Sequence, residues 1–114
     1  MPLPSERDWT IPELFEAKVS DMLVTATGMV RRVLSDDTVG SKHQRLLVMV
    51  GEVSVLIAHN IDLAERVPCY EGDILEFRGE YEWTDRGGTV HWTHHDPDTG
   101  REVGWIDHNG VRYR

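Results

Sequence analysis

Three of the six histidines in this chain fall within seven consecutive residues, His91-Trp92-Thr93-His94-His95-Asp96-Pro97, and His108 follows later. Imidazole and carboxylate groups bind zinc, and three or four of them make a site. His91, His94, His95, Asp96 and His108 are therefore the candidate ligands for a divalent transition metal such as zinc. On a regular strand His91, Thr93 and His95 point to one side, and Val90, Trp92 and His94 to the other. His91 and His95 then lie about 13 Å apart, too far to share one ion directly. A shared site requires the strand to bend or stop near Asp96-Pro97, with His108 brought in by the folded-back tail. The simpler expectation is structural: these histidines bond carbonyls and carboxylates and pin the C-terminal ribbon to the rest of the fold.

Other reactive groups are sparse. Ser54 lacks the Gly-x-Ser-x-Gly elbow of a nucleophile, and Cys69 is the only cysteine, which excludes an intrachain disulfide and a thiolate cluster. His59 precedes a helix-capping asparagine and is expected to satisfy turn backbone, while His43 beside Lys42 is expected in solvent. No residue is assigned a catalytic role. Trp83, Trp92, Trp105 and Tyr113 are candidates for an aromatic ligand-binding cup; their plainer role is a second small core. Arg31, Arg32 and Arg45 are the candidates for single-stranded nucleic acid. A net charge of −8 and the absence of aromatics from the second and third strands count against that partner.

The elements that must position these groups are legible from pattern. Residues 1–9, with Pro2 and Pro4, read as an irregular lead-in. Thr10-Ile11-Pro12-Glu13 is a capping box, and Ile11, Leu14, Phe15, Val19 and Met22 keep helical spacing, which predicts a helix from Ile11 to about Asp21. Strand patterns occupy Val24–Leu34, Gln44–Val50, Val53–Ala58, Ile74–Trp83 and Thr89–His95. Gly28 suggests a bend in the first, and Gly51-Glu52 a tight type II′ hairpin. Asn60 with Asp62 and Pro68 bracket a predicted short helix between strands three and four. In Ile74–Trp83, Leu75, Phe77, Tyr81 and Trp83 share the inner face, opposite Glu76, Arg78, Glu80 and Glu82. Asn109-Gly110 predicts a closing β-hairpin. The order of elements is that of an all-β, five-stranded OB-type Greek-key barrel. The expected division of a single 1–114 domain is an N-terminal helix (10–22), the barrel (24–95) and a ribbon (96–114).

Four strings carry a resemblance: His59-Asn60-Ile61-Asp62-Leu63-Ala64, Glu76-Phe77-Arg78-Gly79-Glu80-Tyr81-Glu82-Trp83, the His91–Pro97 segment, and Gly104-Trp105-Ile106 with His108. Over roughly residues 24–114 the chain resembles a bacterial family known as domain of unknown function 3465. The resemblance implies a compact OB-type barrel and no activity.

The functional expectation is a small, non-enzymatic binding module working through the His/Trp segment and ribbon, with a small molecule, metal ion or protein as its ligand. The alternatives are a metal-dependent, hydrolase-like enzyme using the clustered histidines and a weak single-stranded nucleic-acid binder. Charged residues interrupt Met1–Leu23, so neither a secretory leader nor a membrane span is expected, and the default location is cytoplasmic.

Overall fold

The computed structural model describes residues 9–114; the expected lead-in falls outside them except for Trp9. The chain forms α1 (Ile11–Ala17), β1 (Met22–Val33), β2 (His43–Val50), β3 (Val53–Asn60), β4 (Ile74–Glu82), β5 (Thr89–His91), β6 (Trp105–His108) and β7 (Val111–Tyr113). Hydrogen bonding follows the order β1-β2-β3-β5-β4-β6-β7, and β1 also pairs with β4, closing five strands into a barrel. Among the described residues, only β3 and β5 run parallel. This is the expected mainly β, OB-type topology.

Strict alternation builds the core. Leu46 and Val48 of β2, Val55 and Ile57 of β3, and Leu75, Phe77 and Tyr81 of β4 all point inward and are fully buried. The long strand β1 serves two partners, pairing with β4 over Met22–Met29 and with β2 from Met29 onward. At the changeover a side chain on Gly28 would meet the Met49 carbonyl at 2.6 Å, so the crossing needs a bare backbone. The register irregularity itself falls between Val30 and Arg32 rather than at Gly28. Gly51, with φ 60°, makes the expected two-residue β2–β3 hairpin.

Four local expectations are corrected. The capping box forms as read, Thr10 accepting from the Glu13 N–H and Glu13 from the Thr10 N–H. The helix stops at Ala17, however, because Lys18 turns left-handed (φ 56°) and β1 claims the chain at Met22 by pairing with Tyr81. Val19 and Met22 still pack on the core, but from outside the helix. The short helix expected after Asn60 is a single turn, with Asp62 N–H on the Asn60 side chain and Ala64 N–H on the Asn60 carbonyl. It goes no further because buried Gln44 bonds both backbone groups of Val67, at 2.8 and 2.9 Å.

The third correction concerns β5, which ends at His91 rather than His95. Trp92 takes φ 60°, and β4 exchanges partners there: Glu80–Glu82 pair with β5, whereas Glu76–Arg78 pair with β6. The incoming ribbon displaces residues 92–95, and Gly104 N–H bonds the His94 carbonyl. The fourth is Trp83, which lies just past β4 and outside the barrel interior. It stacks on Phe15, and its indole N–H donates to the Phe15 carbonyl at 3.0 Å, fastening α1 to the barrel. The Asn109-Gly110 hairpin joins β6 to β7 as predicted, with positive φ at both residues.

Candidate metal centre

Alternation places Glu80 and Glu82 on the outer face of β4, and the β4–β5 hairpin sets His91 directly opposite Glu80. One ligand atom from each of Glu80, Glu82 and His91 can be chosen so that all three lie within 4.8 Å of one another. The His91 Nε2 is 3.5 Å from a Glu82 carboxylate oxygen. That nitrogen is shielded from solvent, yet no hydrogen bond is directed at it. Buried polar atoms ordinarily have hydrogen-bond partners; this nitrogen has none and instead faces the Glu82 carboxylate at ion-pair distance. One imidazole and two carboxylates suit zinc, manganese or nickel, with positions left open for water or another ligand.

Of the five ligands read from the sequence, the structure brings only His91 into this group. His94 is buried, stacks on Trp92 at 4.9 Å between ring centres, and donates from Nδ1 to the His95 carbonyl at 2.6 Å. Burial pushes its pKa down. His95 meets the His94 ring edge-on at 6.2 Å. Asp96 folds the following turn, accepting from the Asp98 N–H, and that backbone bond is the main reason its carboxyl is held below the usual range. His108 lies elsewhere, buried, with Nε2 2.9 Å from an Asp73 oxygen. Asp73 is in turn held below the usual carboxylate range, first by the Tyr70 N–H and then by His108.

His59 is the most confined of the histidines. Its Nε2–H donates to the Glu65 carbonyl at 2.8 Å, leaving Nδ1 to accept from the Thr93 hydroxyl at 2.6 Å. His59 and Thr93 are both fully buried. The pair ties the end of β3 to the segment displaced by the ribbon, the strut that the loss of β-pairing at Trp92 requires.

The aromatic candidates do not share one cup. Trp83 belongs to the α1 contact. Trp105 is buried beneath the Arg112 guanidinium, 4.0 Å from its ring centre, and Tyr113 pairs with Ile106. Trp92 is 37% exposed beside His94. The three candidate arginines sit on β1 and β2: Arg32 pairs with Leu47, Arg31 reaches the Met49 sulfur, and Arg45 donates to the Ser35 carbonyl.

A family model spans residues 3–114. The chain belongs to the family described as Protein of unknown function (DUF3465). As a DUF3465 member it carries the family match through α1 and upstream of Val24, beyond the stretch in which the resemblance is visible by eye. A comparison with curated proteins finds no match. Among the described residues, no helix is long and apolar enough to cross a membrane.

Sequence reasoning missed Glu80 and Glu82, which read as part of a solvated face. The signal was present. Their spacing of two puts them on one side of a strand, and counting back through the Asp85–Gly88 hairpin sets His91 against them.

Proposed function

We propose that this DUF3465 barrel is a non-catalytic binding module whose ligand is a divalent transition-metal ion, held by His91 Nε2 with Glu80 and Glu82. The observation that carries the reading is the solvent-shielded His91 nitrogen, without a hydrogen bond and 3.5 Å from Glu82, in a group with two carboxylates on the same sheet face. The spacing supports it. A tetrahedral zinc ion with bonds of about 2.0–2.2 Å sets its ligand atoms roughly 3.4 Å apart. The His91–Glu82 separation of 3.5 Å already matches that edge, leaving Glu80 to close by side-chain rotation. The remaining buried histidines favour the pinning role: His59, His94 and His108 each commit a ring nitrogen to a backbone carbonyl or a carboxylate.

The test is calorimetric titration of untagged protein with zinc sulfate, alongside thermal melts. Saturating zinc at about a hundred times Kd stabilises a fold by about 2.7 kcal/mol, which raises Tm visibly. His91→Ala and Glu82→Gln should each abolish the shift, whereas His95→Ala should leave it intact. Equal zinc response in wild type and His91→Ala would refute the site.

A further inference from the structure

The outer face of β2 and β3 carries a groove that neither the family match nor the metal site accounts for. Leu47 and Leu56 face each other across the two strands and Leu56 continues to Thr89 on β5, so the outward positions form an apolar row. Leu34 from the β1–β2 connection and Arg86 from the β4–β5 hairpin complete a groove of about 330 Å³. That is within the size range of ligand pockets, and the row is only half covered by the protein itself.

The charge around the groove runs against the charge of the chain. The net charge is −8, and three arginines elsewhere are paired with carboxylates: Arg66 with Asp36, and Arg112 and Arg114 with Glu102. Arg31, Arg32 and Arg45, on the strands beside the groove, and Arg86 in its lining make no bond to a carboxylate among the described residues. Four arginines with no carboxylate bond border an aliphatic floor on an acidic protein, with Asp36 in electrostatic reach of Arg45 and Glu82 opposite Thr89, and they favour anionic groups over the floor.

We infer that this face docks an extended peptide in which acidic residues alternate with aliphatic ones. In an extended strand alternate side chains point to opposite sides, so every second residue can enter the Leu34–Leu47–Leu56 floor. The acidic residues between them are left for the rim arginines, whose long side chains reach past the floor. A single-stranded nucleic acid fits less well. Its bases gain most from aromatic platforms, and the floor is leucine.

The experiment is fluorescence anisotropy with the full chain and three labelled probes: an alternating aspartate–leucine peptide, an all-aspartate peptide of equal length, and an oligothymidylate. The alternating peptide should bind best, weaken with added salt, and lose about tenfold in affinity with Arg86→Glu. Arg86 makes no bond within the described fold, so this variant should melt like the wild type, and Leu56→Gln provides a second test of the floor. No binding of the alternating peptide would overturn the inference, as would equal binding of the all-aspartate peptide or an undiminished affinity in Arg86→Glu. Preference for the oligothymidylate would overturn it in favour of nucleic acid.

Discussion

Lowering the pH from about 7.5 to about 5 should cost this barrel about 2 kcal/mol of stability through His59 alone, whose pKa burial pushes down to about 4. In the unfolded chain the same imidazole titrates near its ordinary 6.5. A depressed histidine pKa means that the unfolded state takes up the proton first. The contribution of neutral His59 is therefore complete above about pH 6.5 and is withdrawn as the pH falls toward 4. The ceiling, two and a half pKa units at 1.36 kcal/mol each, is about 3 kcal/mol. Domains of this size have total stabilities of about 5–15 kcal/mol, so the loss is easily measured. His94, depressed by its own burial, adds in the same direction.

The carboxylates with lowered pKa values titrate below this window. The contributions of Asp36, Asp73, Asp96 and Glu102 are complete above the ordinary carboxylate range and begin to be lost only as the pH falls into it, on the way to their lower folded values. Urea titrations at a series of pH values, read at constant m, give the slope directly. His59→Gln should flatten most of it. Thr93→Val keeps the shape but removes the hydroxyl that donates to Nδ1, and should cost about 1–3 kcal/mol at neutral pH by leaving that nitrogen buried and unpaired. Stability that is flat from about pH 7.5 to 5, or a slope unchanged in His59→Gln, would refute the argument.

Two further substitutions probe how the ends of the barrel are held. Gln44→Ala strands the N–H and C=O of buried Val67, and should destabilise by about 2–4 kcal/mol in urea unfolding; a cost under about 0.5 kcal/mol would mean that water replaces the amide. Gly104→Ala would place a carbon 1.8 Å from the Trp92 carbonyl and 2.6 Å from that of Arg78, so the ribbon must lift. Amides of Trp105–His108 should lose hydrogen-exchange protection while those of β2 and β3 keep it, and unchanged ribbon protection would contradict the close packing.

Local chemistry was the readable part of this sequence. The Thr10–Glu13 capping box, the Gly51-Glu52 and Asn109-Gly110 hairpins and the alternation of β4 each depend on residues a few positions apart, and each forms as its pattern predicts. What failed depends on distant partners. The turn after Asn60 has a helix-start signature, but Gln44, far away on β2, takes the Val67 backbone. The strand pattern of Thr89–His95 is broken by a ribbon that arrives from later in the chain and takes over the edge of β4.

The same division explains the candidate site. A density of histidines drew attention to residues 91–95, and strand geometry alone was enough to separate His91 from His95. It could not reveal what lies across the sheet, because neighbours on a strand diverge whereas cross-strand partners converge. β4 makes the point physically. Its inner face, Leu75, Phe77 and Tyr81, builds the barrel core, while its outer face presents Glu80 and Glu82 to His91. The edge that β4 gives first to β5 and then to β6 is what forces residues 92–95 off the strand and leaves His91 as the one histidine of the 91–95 segment held in a strand. The break in β5 that undid the expected ligand cluster is thus also what isolates His91 opposite two carboxylates, and the His59–Thr93 strut is what keeps that break in place.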